Sequence, residues 1–172
     1  MVYPITKYGQ PVLEEQGREI QEFDTPELHK LIEDMFESMY AARGVGLAAP
    51  QIGIGKRIAV IDVTTGEDPQ QKIVLINPTI IGQEGTQTGE EGCLSLPTFR
   101  EPVTRARRVT VRAQDARGNT FEMTGEDLLA RAFLHETDHL NGTLYISHIS
   151  PLKRDLIRRK IRKLQKANEW GD

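Results

Sequence analysis

The chain has 172 residues, 38% hydrophobic and 27% charged, a balance that suits one globular domain with a sizeable core and argues against two domains. No run of eighteen apolar residues exists, and Met1-Val2-Tyr3-Pro4 lacks the charged and apolar regions of a signal peptide, so the expectation is a cytoplasmic protein with no membrane span. The net charge of −3 hides an asymmetry, because residues 151–172 carry a balance of +5 and residues 1–150 one of −8.

In chain order, residues 5–22 alternate poorly and contain Tyr8-Gly9-Gln10-Pro11, which predicts an extended arm wrapping the body. Asp24-Thr25-Pro26-Glu27 is a helix start, and Leu28, Leu31, Ile32, Met35, Phe36, Met39 and Tyr40 follow it at helical spacing, predicting an amphipathic helix packed on the core. The helix stops at Arg43-Gly44. The glycine-bearing segment from Gly44 to Gly53 imitates two phosphate-binding motifs. Gly44-x-Gly46-x-x-Ala49, however, follows a helix and precedes Pro50, where a dinucleotide fingerprint links a strand to a helix. Gly55-Lys56 is followed by Arg57 where a P-loop needs Ser or Thr, and both motifs are rejected. What remains is backbone held where side chains do not fit, beside one polar residue, Gln51, whose amide can donate to a ligand.

Residues 57–63 and 72–77 are β-branched runs that predict strands, and residues 108–115 and 120–124 predict a hairpin about Arg117-Gly118-Asn119. Between the pairs lies Glu90-Glu91-Gly92-Cys93-Leu94-Ser95-Leu96-Pro97, with the only cysteine of the chain. A single cysteine excludes an intrachain disulfide framework and suits a reducing compartment where a thiolate can ligate or attack.

The chemistry centres on His135-Glu136-Thr137-Asp138-His139. At about 100° per residue the two imidazoles lie about 40° apart on one helical face with Glu136 beside them, the arrangement of the H-E-x-x-H zinc motif. Thr124 with Asp127 predicts the helix cap, Leu128, Leu129, Ala132, Phe133 and Leu140 its apolar face, and Asn141-Gly142 its end. Catalytic sites of this kind use three protein ligands and keep a position open for water. His148, in a β-like run, and Glu169 are downstream candidates for the third ligand, but the sequence after His139 lacks the longer metzincin spacing, and Cys93 is the better candidate. Such a site activates water, with Glu136 as proton shuttle, which is a machine for hydrolysing an amide. A zinc endopeptidase with a downstream acidic ligand, and a nonenzymatic RNA-binding module with a structural metal, are the competing readings.

Gly44-Val45-Gly46-Leu47-Ala48-Ala49-Pro50-Gln51, Glu91-Gly92-Cys93-Leu94-Ser95 and His135-Glu136-Thr137-Asp138-His139 together resemble, in order, the three signature motifs of the bacterial peptide deformylases. The resemblance implies removal of the N-formyl group from the initiator methionine of nascent chains, with release of formate. It implies Fe²⁺ as the expected metal, replaceable by Zn²⁺ or Ni²⁺, on Cys93, His135 and His139. Glu136 becomes the general acid/base, and Gln51 with the Leu94 backbone N–H become donors to the developing oxyanion. The same resemblance pairs the substrate backbone with Val45, Gly46, Glu91 and Gly92. It lines a methionine pocket with Val45, Leu128, Ala132 and His135, and puts Arg131 at the pocket mouth and Arg100 near the substrate. Leu134 departs from the glutamine that many members carry before the first histidine.

The expected fold is therefore α+β. Antiparallel sheets pack around a central metal-binding helix, with an amphipathic helix towards the N-terminus and a basic helix at the C-terminus. Residues 1–150 form the catalytic domain, on which residues 151–172 pack as a helix begun by Ser150-Pro151 with a stripe of Leu152, Leu156, Ile157, Ile161 and Leu164. Its eight Lys/Arg suggest contact with ribosomal RNA, and the enzyme is expected to be a monomer.

Overall fold

A computed structural model of the chain describes residues 1–171. The first helix, α1 (Pro26–Ala41), begins where Thr25 accepts a hydrogen bond from the Leu28 N–H, and it buries Leu28, Met35, Phe36 and Met39. At about 1.5–3 kcal/mol per large apolar side chain, that face holds the helix down. It packs on the first two strands of an antiparallel sheet, β1 (Gly46–Ala48) and β2 (Ile58–Ile61), whose residues join Met35, Met39 and Ile76 in one apolar cluster.

The sheet continues through β3 (Ile73–Glu84), β6 (Arg108–Gln114) and β7 (Thr120–Glu126), in the order β1-β2-β3-β6-β7. Strand β3 runs well past the expected end at Asn77-Pro78. A register irregularity between Ile76 and Thr79 absorbs the proline, and Asn77, at φ 51°, spends its side chain on the backbone of Ile20 and on Gln114. The expected hairpin about Gly118 forms as read, with Asp115 accepting the Arg117 and Asn119 N–H groups. A second hairpin, β4 (Gln87–Cys93) with β5 (Leu96–Arg105), stands apart from the main sheet, and nothing in the sequence reading anticipated it.

Helix α2 (Leu128–Leu140) lies across the sheet, burying Ala130, Phe133 and Leu134 against Ile61, Leu75, Val109 and Val111. Its start differs from expectation. Thr124 stays in the β6–β7 ladder, its hydroxyl 2.8 Å from that of Thr110, and the cap position falls to Asp127 without a side-chain cap bond. The end is as expected, with Gly142 at φ 80° after Asn141. Arg57 secures that end by donating to the Leu140 carbonyl at 2.8 Å and to Asn141 Oδ1 at 3.0 Å.

The arm before α1 wraps the body as read, apart from one 3-10 turn at Pro11–Glu14. Its Thr6 N–H donates to Gln51 O and its Tyr8 N–H to Ser95 O, so it ties together the two segments that flank α2. The run Tyr145–His148, read as β-like, is a 3-10 turn. It leads to α3 (Pro151–Lys166), capped by Ser150 as expected. The stripe on α3 divides: Ile157 and Ile161 are buried with Leu13, Leu96 and Tyr145, whereas Leu152 and Leu156 are exposed. Among the described residues no helix is long and apolar enough to cross a membrane.

Candidate active site

Helix α2 carries His135 and His139 on the face turned towards the β4–β5 hairpin, and Cys93 sits where that hairpin turns. Cys93 Sγ lies 3.3 Å from His139 Nε2, which lies 3.2 Å from His135 Nε2, and the three donor atoms fall within 4.8 Å of one another. Nitrogen–metal bonds of about 2.0–2.1 Å at tetrahedral angles put two nitrogens about 3.3–3.4 Å apart, so these residues fit a single divalent ion. The imidazoles cannot both be charged at such separation. Burial alone would lower the pKa of each, yet Glu136, Cys93 and Glu91 raise His135 well above its ordinary value, while burial and His135 push His139 well below. A divalent cation held by His135, His139 and Cys93 would take the place of the proton that the two imidazoles contest. His148 and Glu169 are not in this cluster, and His148 instead contacts Asp138 at 2.9 Å.

The orientation of His135 comes from Glu91. Its carboxylate, buried in β4, accepts from His135 Nδ1 at 2.7 Å, from Arg105 Nη2 at 2.7 Å and from Arg131 Nη1 at 2.7 Å. Arg105 extends the network to Asp138 at 2.8 Å. Burial works against a charge on Glu91, but His135 and Arg105 hold its carboxyl well below the usual carboxylate range. A fixed anion on Nδ1 leaves Nε2 as the ligating nitrogen and raises its basicity. The sequence reading assigned Glu91 only its backbone and did not single out Arg105. It placed Arg131 at the pocket mouth, whereas the side chain is turned inward onto Glu91 and is 10% exposed, while still lining the groove.

Glu136 is 4% exposed, and its Oε1 has no hydrogen-bond partner among the described residues. Burial pushes its carboxyl up to about 7, the range in which a group both takes and returns a proton at neutral pH. Strand β1 passes close over it. A Cβ on Gly46 would lie 2.5 Å from Glu136 Oε2, so any side chain there would have to displace the carboxylate. The Gln51 side chain is buried, its Oε1 accepting from the Ala48 N–H at 3.0 Å while Nε2 faces Cys93 Sγ at 3.6 Å and Ser95 Oγ at 3.3 Å. The amide's donor end is thereby aimed at the centre. These groups open onto a groove of about 500 Å³ whose lining brings together Val45, Gly46, Glu91, Gly92, Leu94, Arg100, Leu128, Arg131 and Ala132.

A buried carboxylate without a hydrogen-bond partner, beside three side chains that could hold a metal ion and open to a groove, fits the class of metallohydrolases. The comparisons make this specific. The sequence profile of the polypeptide deformylase family matches residues 2–155. A peptide deformylase of Acidobacterium capsulatum is 61% identical over 170 residues, covering 99% of each chain. The crystal structure of a peptide deformylase from Legionella pneumophila superposes with a TM-score of 0.89 at 44% identity, covering 100% of both chains, and that of the Thermus thermophilus enzyme with 0.87 at 41%, covering 95% of both. The chain belongs to the polypeptide deformylase family, metal-dependent enzymes that remove the N-formyl group from nascent chains.

Proposed function

We propose that this chain hydrolyses N-formyl-methionyl peptides through Cys93, His135 and His139 as metal ligands, Glu136 as proton shuttle, and Gln51 with the Leu94 N–H as oxyanion donors. The observation that carries the reading is the convergence of the three ligand atoms, the unpartnered Glu136 Oε1 and the Gln51 amide on one groove. A divalent ion held by the three ligands supplies Lewis acidity and makes water nucleophilic at neutral pH. Addition of water to the formyl carbon puts negative charge on its oxygen, where the Gln51 Nε2–H and the Leu94 N–H each lower the barrier by about 3 kcal/mol. Glu136 accepts the proton that water loses and returns it to the leaving nitrogen as the C–N bond breaks, releasing formate and a free amine.

Around that centre, Val45 and Gly46 on one bank and Glu91 and Gly92 on the other offer backbone to an extended peptide, which adds as a strand. The methionine side chain enters among Val45, Leu128, Ala132 and the His135 ring, and Arg100 stands beside the groove. Fe²⁺ is the metal we assign, with Zn²⁺ or Ni²⁺ as substitutes, in a monomeric cytoplasmic enzyme. The test is formate release from a formyl-Met peptide by anaerobically purified protein whose metal content is measured on the same sample. Full metal occupancy without formate release would overturn the reading.

The exposed face of α3, with Leu152, Leu156, Arg159, Arg162 and Lys163, supports contact with ribosomal RNA. Deleting the tail would uncover the cluster that buries Ile157, Ile161 and Trp170, so charge reversal at Arg159 and Lys163 is the cleaner perturbation. It should weaken ribosome co-sedimentation at low salt and leave turnover of a short peptide intact. Co-sedimentation that ignores both salt and reversal returns the face to ordinary solvation.

A further inference from the structure

The groove carries charge at its outer end that the deformylation reading leaves without a task. Arg43 lines it, is exposed, and takes part in none of the described ion pairs. Its backbone is left-handed, at φ 60°, in the turn that closes α1, where the Arg43 N–H reaches Tyr40 O and the Gly44 N–H reaches Met39 O. That conformation favours glycine or asparagine, and a long side chain held in it beside a site is an observation that asks for a role. A side chain on the neighbouring residue would have to move Leu94, since a Cβ on Gly44 would lie 2.9 Å from Leu94 Cδ1.

On the β4 bank the distance from the centre follows from strand register. On one bank Gly46 stands over Glu136, and Val45, Gly44 and Arg43 lead away from it. On the other bank Cys93 marks the centre, and Gly92, Glu91 and Glu90 lead away. At about 3.3 Å per extended residue, three residues carry Glu90 roughly 10 Å outward along β4, and Arg43, in the turn that closes α1, lines the same groove. A formyl peptide lying extended between the banks, with its formyl carbon at the centre, brings its third residue to that level. There it meets Arg43 on one side and, on the other, Glu90, whose carboxylate is engaged by Arg100 at 3.5 Å. These three exposed side chains leave one positive charge over.

We infer that Arg43 is a specificity-determining residue that selects formyl-methionyl chains with an aspartate or glutamate at the third position. The inference rests on the deformylation reading above. It is tested on the metal-loaded, anaerobically purified enzyme with amidated peptides of the form formyl-Met-Ala-X-Ala, where X is Asp, Ala or Lys. At low salt kcat/KM should fall in that order, by about two- to fivefold between Asp and Lys, the range of one solvent-exposed charge pair, and the order should fade as salt is raised. Arg43→Gly, which suits the local backbone, should bring the Asp-to-Lys ratio close to one, and Arg43→Glu should invert it. A wild-type ratio of one, or a ratio unchanged in Arg43→Gly, overturns the inference, and so does a larger preference when the acid is moved to the second or fourth residue. Release from none of the peptides by fully metallated wild type would instead overturn the deformylation reading, and this proposal with it.

Discussion

Glu91→Gln isolates what the interior of the β4–β5 hairpin does for the metal centre. The substitution keeps the volume and removes one charge from a carboxylate that serves His135, Arg105 and Arg131 together. Arg105 keeps Asp138 as a counter-ion, but Arg131 is left with neutral acceptors only, the Val103 carbonyl and the new amide. Leaving a buried charge without its counter-ion costs about 3–5 kcal/mol, and at about 2–4 °C per kcal/mol for a domain of this size the melting temperature should fall by at least ~6 °C. Loss of the anion behind His135 Nδ1 should also weaken metal retention about 10–100-fold, read as the rate of metal loss to a chelator.

A pH arm separates charge from shape. The Glu91 carboxyl is held below the usual carboxylate range, so its stabilising effect is fully present above the unfolded value near 4.5 and is lost as the pH falls from there towards the folded value. Metal-free wild type should therefore lose stability below about pH 4.5 more steeply than metal-free Glu91→Gln. Metal retention within threefold of wild type, with a melting temperature within ~2 °C, would refute the assignment of Glu91 as the anchor of His135.

Glu136→Gln should keep its metal and lose about 10²–10⁴ of turnover, because the amide fills the same space and cannot take a proton; turnover within tenfold of wild type in a formate assay would remove Glu136 from that role. Gly46→Ala should lower kcat at least ~10-fold with metal content unchanged, since the new methyl would displace the carboxylate 2.5 Å away, and a wild-type kcat would show that β1 yields instead. If Fe²⁺ is the resident ion on the Cys93 thiolate, the iron form should be inactivated in air or peroxide much faster than a nickel-substituted form, and equal lifetimes would count against iron.

The grouping of Cys93, His135 and His139, which could hold a metal ion, was legible largely because local geometry places the two histidines together. Two histidines four residues apart share a helical face wherever the helix lies, and the lone cysteine left few choices for a third donor. The helix starts at Thr25 and Ser150, the end at Asn141-Gly142 and the turn about Gly118 were legible for the same reason, since each is decided by residues within one turn of chain. The β4–β5 hairpin was not. Its glycines and prolines weaken the strand signal, and its pairing of Gly92 with Arg100 is set by what it packs on. Strand β3 was read too short because a tertiary partner for Asn77 lets the chain pass a proline. On α3 the helical period marked which residues are apolar. Only docking decided that Ile157 and Ile161 turn inward while Leu152 and Leu156 stay in solvent.

The roles of Glu91 and Arg105 lay furthest from view. Residues 91, 105, 131, 135 and 138 span almost fifty positions, and their side chains meet only after the hairpin folds against α2. The sequence by itself determined which residue types could bind a metal and move a proton. The tertiary structure decided which way each one faces, because hydrogen-bond partners and burial come from segments distant in the chain.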